Sequence, residues 1–290
     1  MILALASAVS YGLSDYVGGL VARRVAFVRV ALLGQVGGLA AACAAAPFLS
    51  SGVPSVRDLL YGALSGVGTG LAMTFLFRGM SRGAMSVVVP VSSVAGAALP
   101  VLAGAALLGE RPDLRTWAGV LVVLPALWAV SRPSRAGGHP GPAIRDGLSA
   151  GVGIAVQYLA LAQAHASSGL WPVAAGRVTA IAAVTAIAIV HRSGDPRLWR
   201  TIFRPIARKI VRHNRETAAA LFAGVLAALA LGCYLVATRT QALTPAVVLS
   251  SLYPVIPVVL GLTTLRERLG PAQAAGLAGA LAGSLLIATS

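Results

Sequence analysis

The chain has 290 residues, of which 57% are hydrophobic and only 11% are charged, whereas about 25% of the residues of a soluble domain are charged. Its formal net charge is +15, but the basic residues fall between apolar runs rather than on one face, which argues against a nucleic-acid partner. An apolar run of about 18 residues or more crosses a bilayer as a helix, so the composition excludes a soluble globular protein.

Apolar segments succeed one another along the chain, and we interpret each as a membrane-spanning helix. The ten predicted helices cover residues 2–22, 28–48, 58–77, 84–109, 115–131, 146–165, 169–190, 217–237, 243–265 and 271–288. Residues 1–22 have no basic leading segment, which favours a first span over a cleaved signal. Residues 132–145 are rich in proline and glycine and predict a linker between two five-helix units, 1–131 and 146–290. The predicted fold class is therefore an all-α polytopic membrane protein.

The last third of the chain repeats the sequence of its middle. A shift of 157 positions aligns Arg82 with Arg239, Ser93 with Ser250, Pro100 with Pro257, Gly104 with Gly261, Glu110-Arg111 with Glu267-Arg268, and Gly119 with Gly276. Since five crossings leave the chain on the opposite side of the membrane, the second unit starts upside down and the repeat is predicted to be inverted. Such a duplication is typical of secondary transporters, whose substrate site lies between the two units.

Small residues recur at every fourth position of the third predicted helix, at Gly62, Gly66 and Gly70. Glycine at this spacing allows the backbones of two membrane helices to approach each other closely. We interpret this face as a tight helix crossing rather than as a ligand site.

Two charged residues lie deep inside predicted helices, Asp15 in the first and Arg177 in the seventh. A charge inside the membrane costs a few kcal/mol unless it is paired or hydrated, so each is a candidate for function. A weaker internal match, with a shift of 142, places Gln157 and Gln35 at the equivalent positions. We predict that these side chains face a central cavity, where Arg177 binds a carboxylate or phosphate and Asp15 binds an amine or carries a proton. An Asp15–Arg177 ion pair that only ties the units together, or an interfacial position, is the alternative.

Hydroxyl-bearing and proline residues on the same helices extend the candidate site. The further candidates for substrate binding or coupling are Tyr11, Tyr16, Tyr158, Ser93, Ser250 and Tyr253. A serine inside a helix also bonds to its own backbone, so a structural role for the serines stays open. The fourth and ninth helices carry Pro90, Pro100, Pro254 and Pro257, and bends at these prolines either gate the cavity or serve packing.

A basic loop, 192–216, separates the seventh and eighth predicted helices. Within residues 196–215, Trp199, Ile202 and Phe203 begin an apolar stripe at helical spacing, and arginines occupy the opposite side. This pattern is typical of a helix that lies flat among anionic lipid headgroups, which makes membrane lipid a predicted partner. A solvated basic loop is the alternative.

The sequence lacks the residue clusters that enzymes, metal sites and ATP-driven pumps require. Cys43 and Cys233 lie in apolar runs without a Cys-x-x-Cys motif, and no phosphate-binding GxxxxGK[ST] motif is present. The apolar segments hold no nucleophile with a neighbouring base. We therefore expect no enzyme, no catalytic residue, no metal site and no cofactor, and we interpret Glu110 and Glu267 as turn and interface anchors.

Two segments of the chain carry a family likeness. Residues 81–112 read SRGAMSVVVPVSSVAGAALPVLAGAALLGERP, and residues 238–288 contain the corresponding YPVIPVVLGLTTLRERLGPAQAAGLAG. Both resemble the EamA repeat of the drug/metabolite transporter superfamily, and the N-terminal YGLSDYVGGLVARR is similar to the first helix of bacterial members. The resemblance implies two inverted five-helix repeats, a central cavity and alternating access.

This likeness implies a secondary active transporter or exporter of small metabolites or drugs, in a bacterial inner (plasma) membrane. A passive channel or a lipid or solute flippase on the same fold is the alternative function. The expected partners are a small-molecule solute and lipid, and a homodimer stays open.

The orientation in the membrane is predicted in opposite ways by two arguments. Loops after odd-numbered helices hold 18 basic residues and loops after even-numbered helices hold 4. The positive-inside rule then places both termini outside. The family resemblance implies termini inside, and the orientation stays open.

Overall fold

A computed structural model of the chain describes residues 2–82, 85–107, 113–130, 141–161, 163–190, 214–240, 253–267 and 269–288. These residues form ten α-helices and no strand. The helices are α1 (Ile2–Ala22), α2 (Phe27–Leu49), α3 (Val56–Arg82), α4 (Met85–Leu107), α5 (Leu114–Val130), α6 (Gly141–Leu161), α7 (Trp171–Val190), α8 (Asn214–Thr240), α9 (Val255–Thr263) and α10 (Pro271–Ala288). Each predicted helix therefore has a counterpart among the described residues.

In the first part of the second unit, α6 is the helix whose boundaries differ most from the predicted ones. The helix begins at Gly141 rather than at residue 146, and it ends at Leu161 rather than at 165. A proline is tolerated in the first turn of a helix, because the N–H that it lacks would have no partner there. Pro142 therefore lies in the first turn of α6 rather than in the predicted linker. Beyond Leu161 the chain turns through a short 3₁₀ segment, Ala166–Ser168.

The described part of the ninth helix covers Val255–Thr263 and follows a turn at Tyr253 and Pro254. Residues 243–252 of the predicted helix lie outside the described part of the chain. Pro257 falls in the first turn of α9, where a proline is accommodated. The predicted bends at Pro254 and Pro257 stay predictions.

The fourth helix carries the equivalent prolines in a different setting. α4 continues without interruption past Pro90, which is buried, and past Pro100. The predicted gating role of the four prolines stays a prediction. The basic segment 192–216 lies outside the described residues, apart from 214–216, which open α8.

Long apolar helices and exposed apolar side chains characterise the surface of the molecule. Within the described ranges, four helices are long and apolar enough to cross a membrane by length and composition, namely α2, α3, α7 and the greater part of α8. Phe48 is 87% exposed, Leu114 85% and Val190 70%. Such side chains are unfavourable in water and suit contact with lipid chains.

The two units are interlocked rather than placed side by side. α3 packs mainly on α6 and α7 of the other unit, and α8 packs mainly on α1 and α2. α5 packs on α10, α4 lies against α6 and α9, and α2 lies against α7. α3 and α8 therefore occupy equivalent places, since each packs on the first two helices of the other unit.

Two backbone-to-backbone crossings show this exchange at the level of single residues. A Cβ atom added to Gly66 of α3 would collide with the carbonyl oxygen of Gly176 in α7. A Cβ atom added to Gly224 of α8 would collide with the carbonyl oxygen of Gly34 in α2. Gly34 corresponds to Gly176 under the weaker internal match, and the shift of 157 places Gly66 on residue 223, next to Gly224. The two crossings therefore lie within one residue of equivalent positions. The predicted tight packing at Gly66 is confirmed.

Candidate functional site

Asp15 lies on α1 in the interior of the protein. The residue is only 3% exposed, and its Oδ1 atom has no hydrogen-bond partner within the described part of the chain. The register of α1 is fixed by the preceding residue, because Ser14 Oγ donates a 2.7 Å hydrogen bond to the carbonyl oxygen of Ala223 in α8. A buried carboxyl oxygen without a donor is unfavourable, so it marks a place where another group is expected.

A small cavity adjoins this carboxyl group, and we call it the Asp15 cavity. Its lining comes from α1, α3, α4, α6 and the turn before α9. The polar and aromatic side chains of the lining are those of Tyr11, Asp15, Ser92, Gln157, Tyr158 and Tyr253. In this conformation the cavity has room for about one water molecule. The described lining therefore encloses a small polar space.

A second cavity lies beside Arg177 of α7, and we call it the Arg177 cavity. Arg177 is 3% exposed, and its Nη1 atom donates a 2.8 Å hydrogen bond to Oε1 of Gln35 in α2. Ser65, Thr69 and Gln157 complete the polar part of the lining. Gln157 thus belongs to the walls of both cavities, and this space also accommodates about one water molecule.

The two buried charges do not form an ion pair with each other within 4.0 Å among the described side chains. Tyr11 stands close enough to Asp15 and to Arg177 to interact electrostatically with both, and its hydroxyl lies near the side chains of Gln157 and Tyr158. The alternative of an Asp15–Arg177 bridge is therefore wrong. Each charge faces a cavity, and neutral groups separate the two.

Most of the predicted site residues converge at these two spaces. Tyr11, Asp15, Gln157, Tyr158 and Tyr253 meet at one cavity, and Gln35 and Arg177 meet at the other. Tyr16 does not join them, because it packs against the apolar core between α1 and α3.

The serine candidates have separate outcomes. Ser93 is half-buried and lies near the side chain of Tyr253, which lines the Asp15 cavity, and Ser250 lies outside the described residues. Its neighbour Ser92 lines the cavity, but its Oγ donates to the carbonyl oxygen of Val89 at 2.9 Å. Ser92 therefore satisfies its own helix, as a serine in a membrane helix often does.

Sequence reasoning missed the contribution of α3 to the Arg177 cavity. Ser65 and Thr69 line this cavity, and Thr69 Oγ1 donates a 3.0 Å hydrogen bond to the carbonyl oxygen of Ser65. Small polar residues on a glycine-rich face carry no sequence signal of their own, since they satisfy their hydroxyls locally. The regular spacing of Gly62, Gly66 and Gly70 predicted the helix crossing but not the cavity beside it.

One end of the molecule, which we call the Glu267 end, is closed by carboxylates and arginines. Glu267 accepts hydrogen bonds from the backbone N–H groups of Met85 and Ser86, each at 2.9 Å, and from Ser86 Oγ at 2.7 Å. Arg23 Nη2 donates to Glu267 Oε1 at 2.6 Å. Glu267 therefore caps the N-terminus of α4 and joins it to α1, which confirms its predicted role as an anchor. Glu110, its equivalent, lies outside the described residues.

Burial and hydrogen bonding act on Glu267 in opposite directions. Burial raises the pKa of the Glu267 carboxyl, but the hydrogen bonds from Ser86, Met85 and Arg23 outweigh it, so that the pKa lies below its ordinary value. The carboxylate is consequently the favoured form at neutral pH.

A second link closes the same end. Asp146 of α6 is buried, and its Oδ1 atom accepts hydrogen bonds from Arg78 Nε at 3.0 Å and Arg78 Nη2 at 2.6 Å. Arg82 Nη1 lies 3.9 Å from the other carboxylate oxygen. The bond joins α3 of the first unit to α6 of the second.

The opposite end, which we call the Asp58 end, is organised around one buried carboxylate. Asp58 accepts hydrogen bonds from Ser168 Oγ at 2.7 Å, from the His165 backbone N–H at 2.9 Å and from Ser55 Oγ at 2.8 Å. The His165 ring Nδ1 lies 2.8 Å from Asp58 Oδ1, and the imidazole is 63% exposed. These bonds tie the start of α3 to the connection between α6 and α7.

The helical fold and its internal cavities agree with the family that the sequence matches. The sequence matches the model of the EamA-like transporter family over residues 1–132 and 147–289, which is nearly the whole chain in two parts. The chain belongs to the EamA-like transporter family. This confirms the resemblance seen in the repeated segments, and it makes the chain an integral, multi-pass membrane protein of a transporter family. None of the curated proteins matches the sequence.

A solved structure supports the fold of this EamA-like chain. Its title reads only "Crystal structure of protein", and it matches with a TM-score of 0.58 over 98% of this chain and 94% of that chain. The sequence identity is 19%, so the likeness is one of fold alone.

Proposed function

We propose that this EamA-like protein is a secondary active transporter that exports or exchanges small metabolites or drugs by alternating access. The chamber that binds the solute is formed where the two cavities meet at Gln157, with Asp15 on one side and Arg177 on the other. The single observation that carries the proposal is the buried Asp15 Oδ1 without a partner, which lines an internal cavity between helices of both units.

The closed ends support a carrier over a passive channel. The Glu267 end is held by the bonds of Arg23 and Met85 to Glu267, and the Asp58 end by those of His165 and Ser168 to Asp58. A channel needs a continuous aqueous path, whereas a carrier passes through states closed at both ends. The described conformation has the character of such an occluded state, and each end opens in turn as its bonds break.

The arrangement of the units in the membrane is part of the proposal. Ten crossings in two inverted five-helix repeats, 1–131 and 146–290 with the linker 132–145, are supported by the exchange of α3 and α8 and by the paired glycine crossings. We place the protein in the bacterial inner membrane, with lipid headgroups as partners of its basic loop. The chemistry of the cavities supports a solute with at least one charged group.

Reconstitution into liposomes tests the transport function. We expect saturable flux of small charged solutes that depends on a gradient of protons or of a counter-solute, since alternating access binds its cargo in each cycle. Flux that does not saturate would identify a channel, and movement of labelled phospholipid between leaflets would identify a flippase.

Matched substitutions test the proposed chamber. We expect Asp15→Asn and Arg177→Gln each to reduce flux by about tenfold or more, because each removes a charge that faces the cavity. Asp113→Asn makes the same chemical change at an exposed position and is expected to leave flux unchanged. Full transport by the Asp15 and Arg177 variants, inserted at normal levels, would remove the chamber from the mechanism.

A further inference from the structure

We infer that the Asp15 cavity is a subsite for an organic ammonium group, and that the Arg177 cavity is not part of that subsite. The inference rests on the proposed transport function and adds the chemical class of the group that the solute presents to Asp15. It follows from the charge of the lining, from the unpartnered oxygen and from the aromatic rings around it.

The described residues that line the Asp15 cavity carry one formal charge, which is negative. Among them Asp15 is the acidic one, and none is a lysine, arginine or histidine. Its Oδ1 atom lacks a donor although the residue is almost fully buried. An ammonium group supplies both the missing donor and the missing positive charge, and a charge-assisted bond of this kind is stronger than a neutral one.

Three tyrosine rings complete the surroundings of the carboxyl group. Tyr11, Tyr158 and Tyr253 line the cavity, and the ring centroids of Tyr11 and Tyr253 lie 5.4 Å apart in a tilted arrangement. The face of an aromatic ring attracts a desolvated cation, and several rings around one position are a known solution for binding alkylated ammonium groups. An anion would meet the carboxylate and the ring faces together, and both would disfavour it.

Arg177 does not cancel this preference. Its guanidinium group lines the other cavity and donates to Gln35, while Gln157 and Tyr11 stand between the two spaces. Movement of the Gln157 side chain would join the cavities, so that a solute larger than a water molecule is admitted with its cationic end toward Asp15.

Three probes of similar size separate charge from shape. Butylammonium, 1-butanol and butanoate share a short alkyl chain and are cationic, neutral and anionic at neutral pH. Their binding is measured on the purified full chain in detergent micelles, as the shift of the thermal unfolding midpoint with probe concentration. We expect butylammonium to bind at least about tenfold more tightly than 1-butanol, as is typical of a hydrogen bond to a charged group.

Variants assign the binding to the subsite. We expect Asp15→Asn to reduce butylammonium binding to the level of 1-butanol, Asp15→Glu to retain the preference, and the exposed-site variant Asp113→Asn to leave it unchanged. Equal binding of butylammonium by wild type and Asp15→Asn overturns the inference, and so does binding of 1-butanol as tight as that of butylammonium. If Asp15→Glu still prefers butylammonium, a substitution at this position leaves a folded protein. The loss of binding in Asp15→Asn is then assigned to the missing charge and not to a folding defect.

The failure of this inference is distinct from the failure of the proposed function. Butanoate binding that is lost in Arg177→Gln, without any butylammonium binding, overturns the ammonium subsite but leaves a transporter of anions. Absence of solute flux in liposomes, with ammonium binding at Asp15 intact, overturns the transport function and leaves the subsite.

Discussion

The two ends of the molecule are closed by different chemistry. At the Glu267 end, arginines of α1 and α3 reach carboxylates of the other unit, in the pairs Arg23–Glu267 and Arg78–Asp146. At the Asp58 end, one carboxylate collects hydrogen bonds from hydroxyl, backbone and imidazole groups of the α6–α7 connection. One end is therefore held by opposite charges, and the other by neutral donors around a single charge.

The difference is informative because the helix crossings beside these ends have stayed alike. Gly66 meets Gly176, and Gly224 meets Gly34, within one residue of equivalent positions of the two units. A backbone crossing tolerates only the smallest residue, so it is constrained in both copies. The residues that close an end need only break and re-form their bonds, which many pairs of groups achieve, so the chemistry of the two ends is free to differ.

The largest effect is expected from breaking the charged link between α3 and α6. Arg78→Ala leaves the buried Asp146 carboxylate without its main partner, and we expect a loss of about 3–5 kcal/mol in the free energy of unfolding. Denaturation of the purified protein in mixed micelles measures it. The double variant Arg78→Ala with Asp146→Asn is the control, and it should recover part of the loss because no buried charge is left unpaired. A loss in the double variant as large as in Arg78→Ala would contradict this reason.

A smaller effect is expected at the Asp58 end. Asp58→Ala removes the acceptor of Ser168 Oγ and of the His165 backbone N–H, and we expect a loss of about 2–3 kcal/mol. His165→Ala is the matched control, because the backbone bond to Asp58 survives and the ring is largely exposed, so its loss should stay below about 1 kcal/mol. The same denaturation measurement compares the losses in the two variants. A loss in His165→Ala equal to that in Asp58→Ala would mean that the imidazole, not the carboxylate network, holds this end.

The smallest effect concerns the pH dependence of the Glu267 end. The pKa of Glu267 in the folded protein lies below its ordinary value of 4.5, so the folded state favours the carboxylate. Its contribution to stability is therefore complete above the ordinary value and is lost as the pH falls through the folded pKa. Unfolding midpoints of wild type and Glu267→Gln between neutral pH and about pH 3 should converge in acid. A constant difference between the two proteins over this range would show that protonation of Glu267 is not involved.

The sequence predicted the helices and the central charges for a common physical reason. A charge such as Asp15 or Arg177 inside a long apolar run is costly in lipid, so its position alone marks it as internal. Asp58 and Asp146 gave no such signal, because a carboxylate near a helix end resembles a residue of a solvated loop. Tertiary packing decides which groups surround such a carboxylate. His165, for example, contacts Asp58 although the two residues are more than a hundred positions apart in the sequence.

Helix boundaries were predicted least well where prolines occur. The described part of the ninth helix opens at Val255, directly after a turn at Tyr253 and Pro254, where a bend at Pro254 was expected. Pro142 was assigned to a linker, but it lies in the first turn of α6. The same residue type bends, ends or begins a helix, and its neighbours in space decide among these outcomes.

The interlocking of α3 with α6 and α7 has a consequence for biogenesis. When the ribosome has completed the first five-helix unit, the glycine face of α3 has no lasting partner, since α6 and α7 are still to be synthesised. That face is exposed to acyl chains until the later helices leave the translocon. Assembly therefore finishes only after translation has passed α8, whose own partners, α1 and α2, have waited in the bilayer since the beginning.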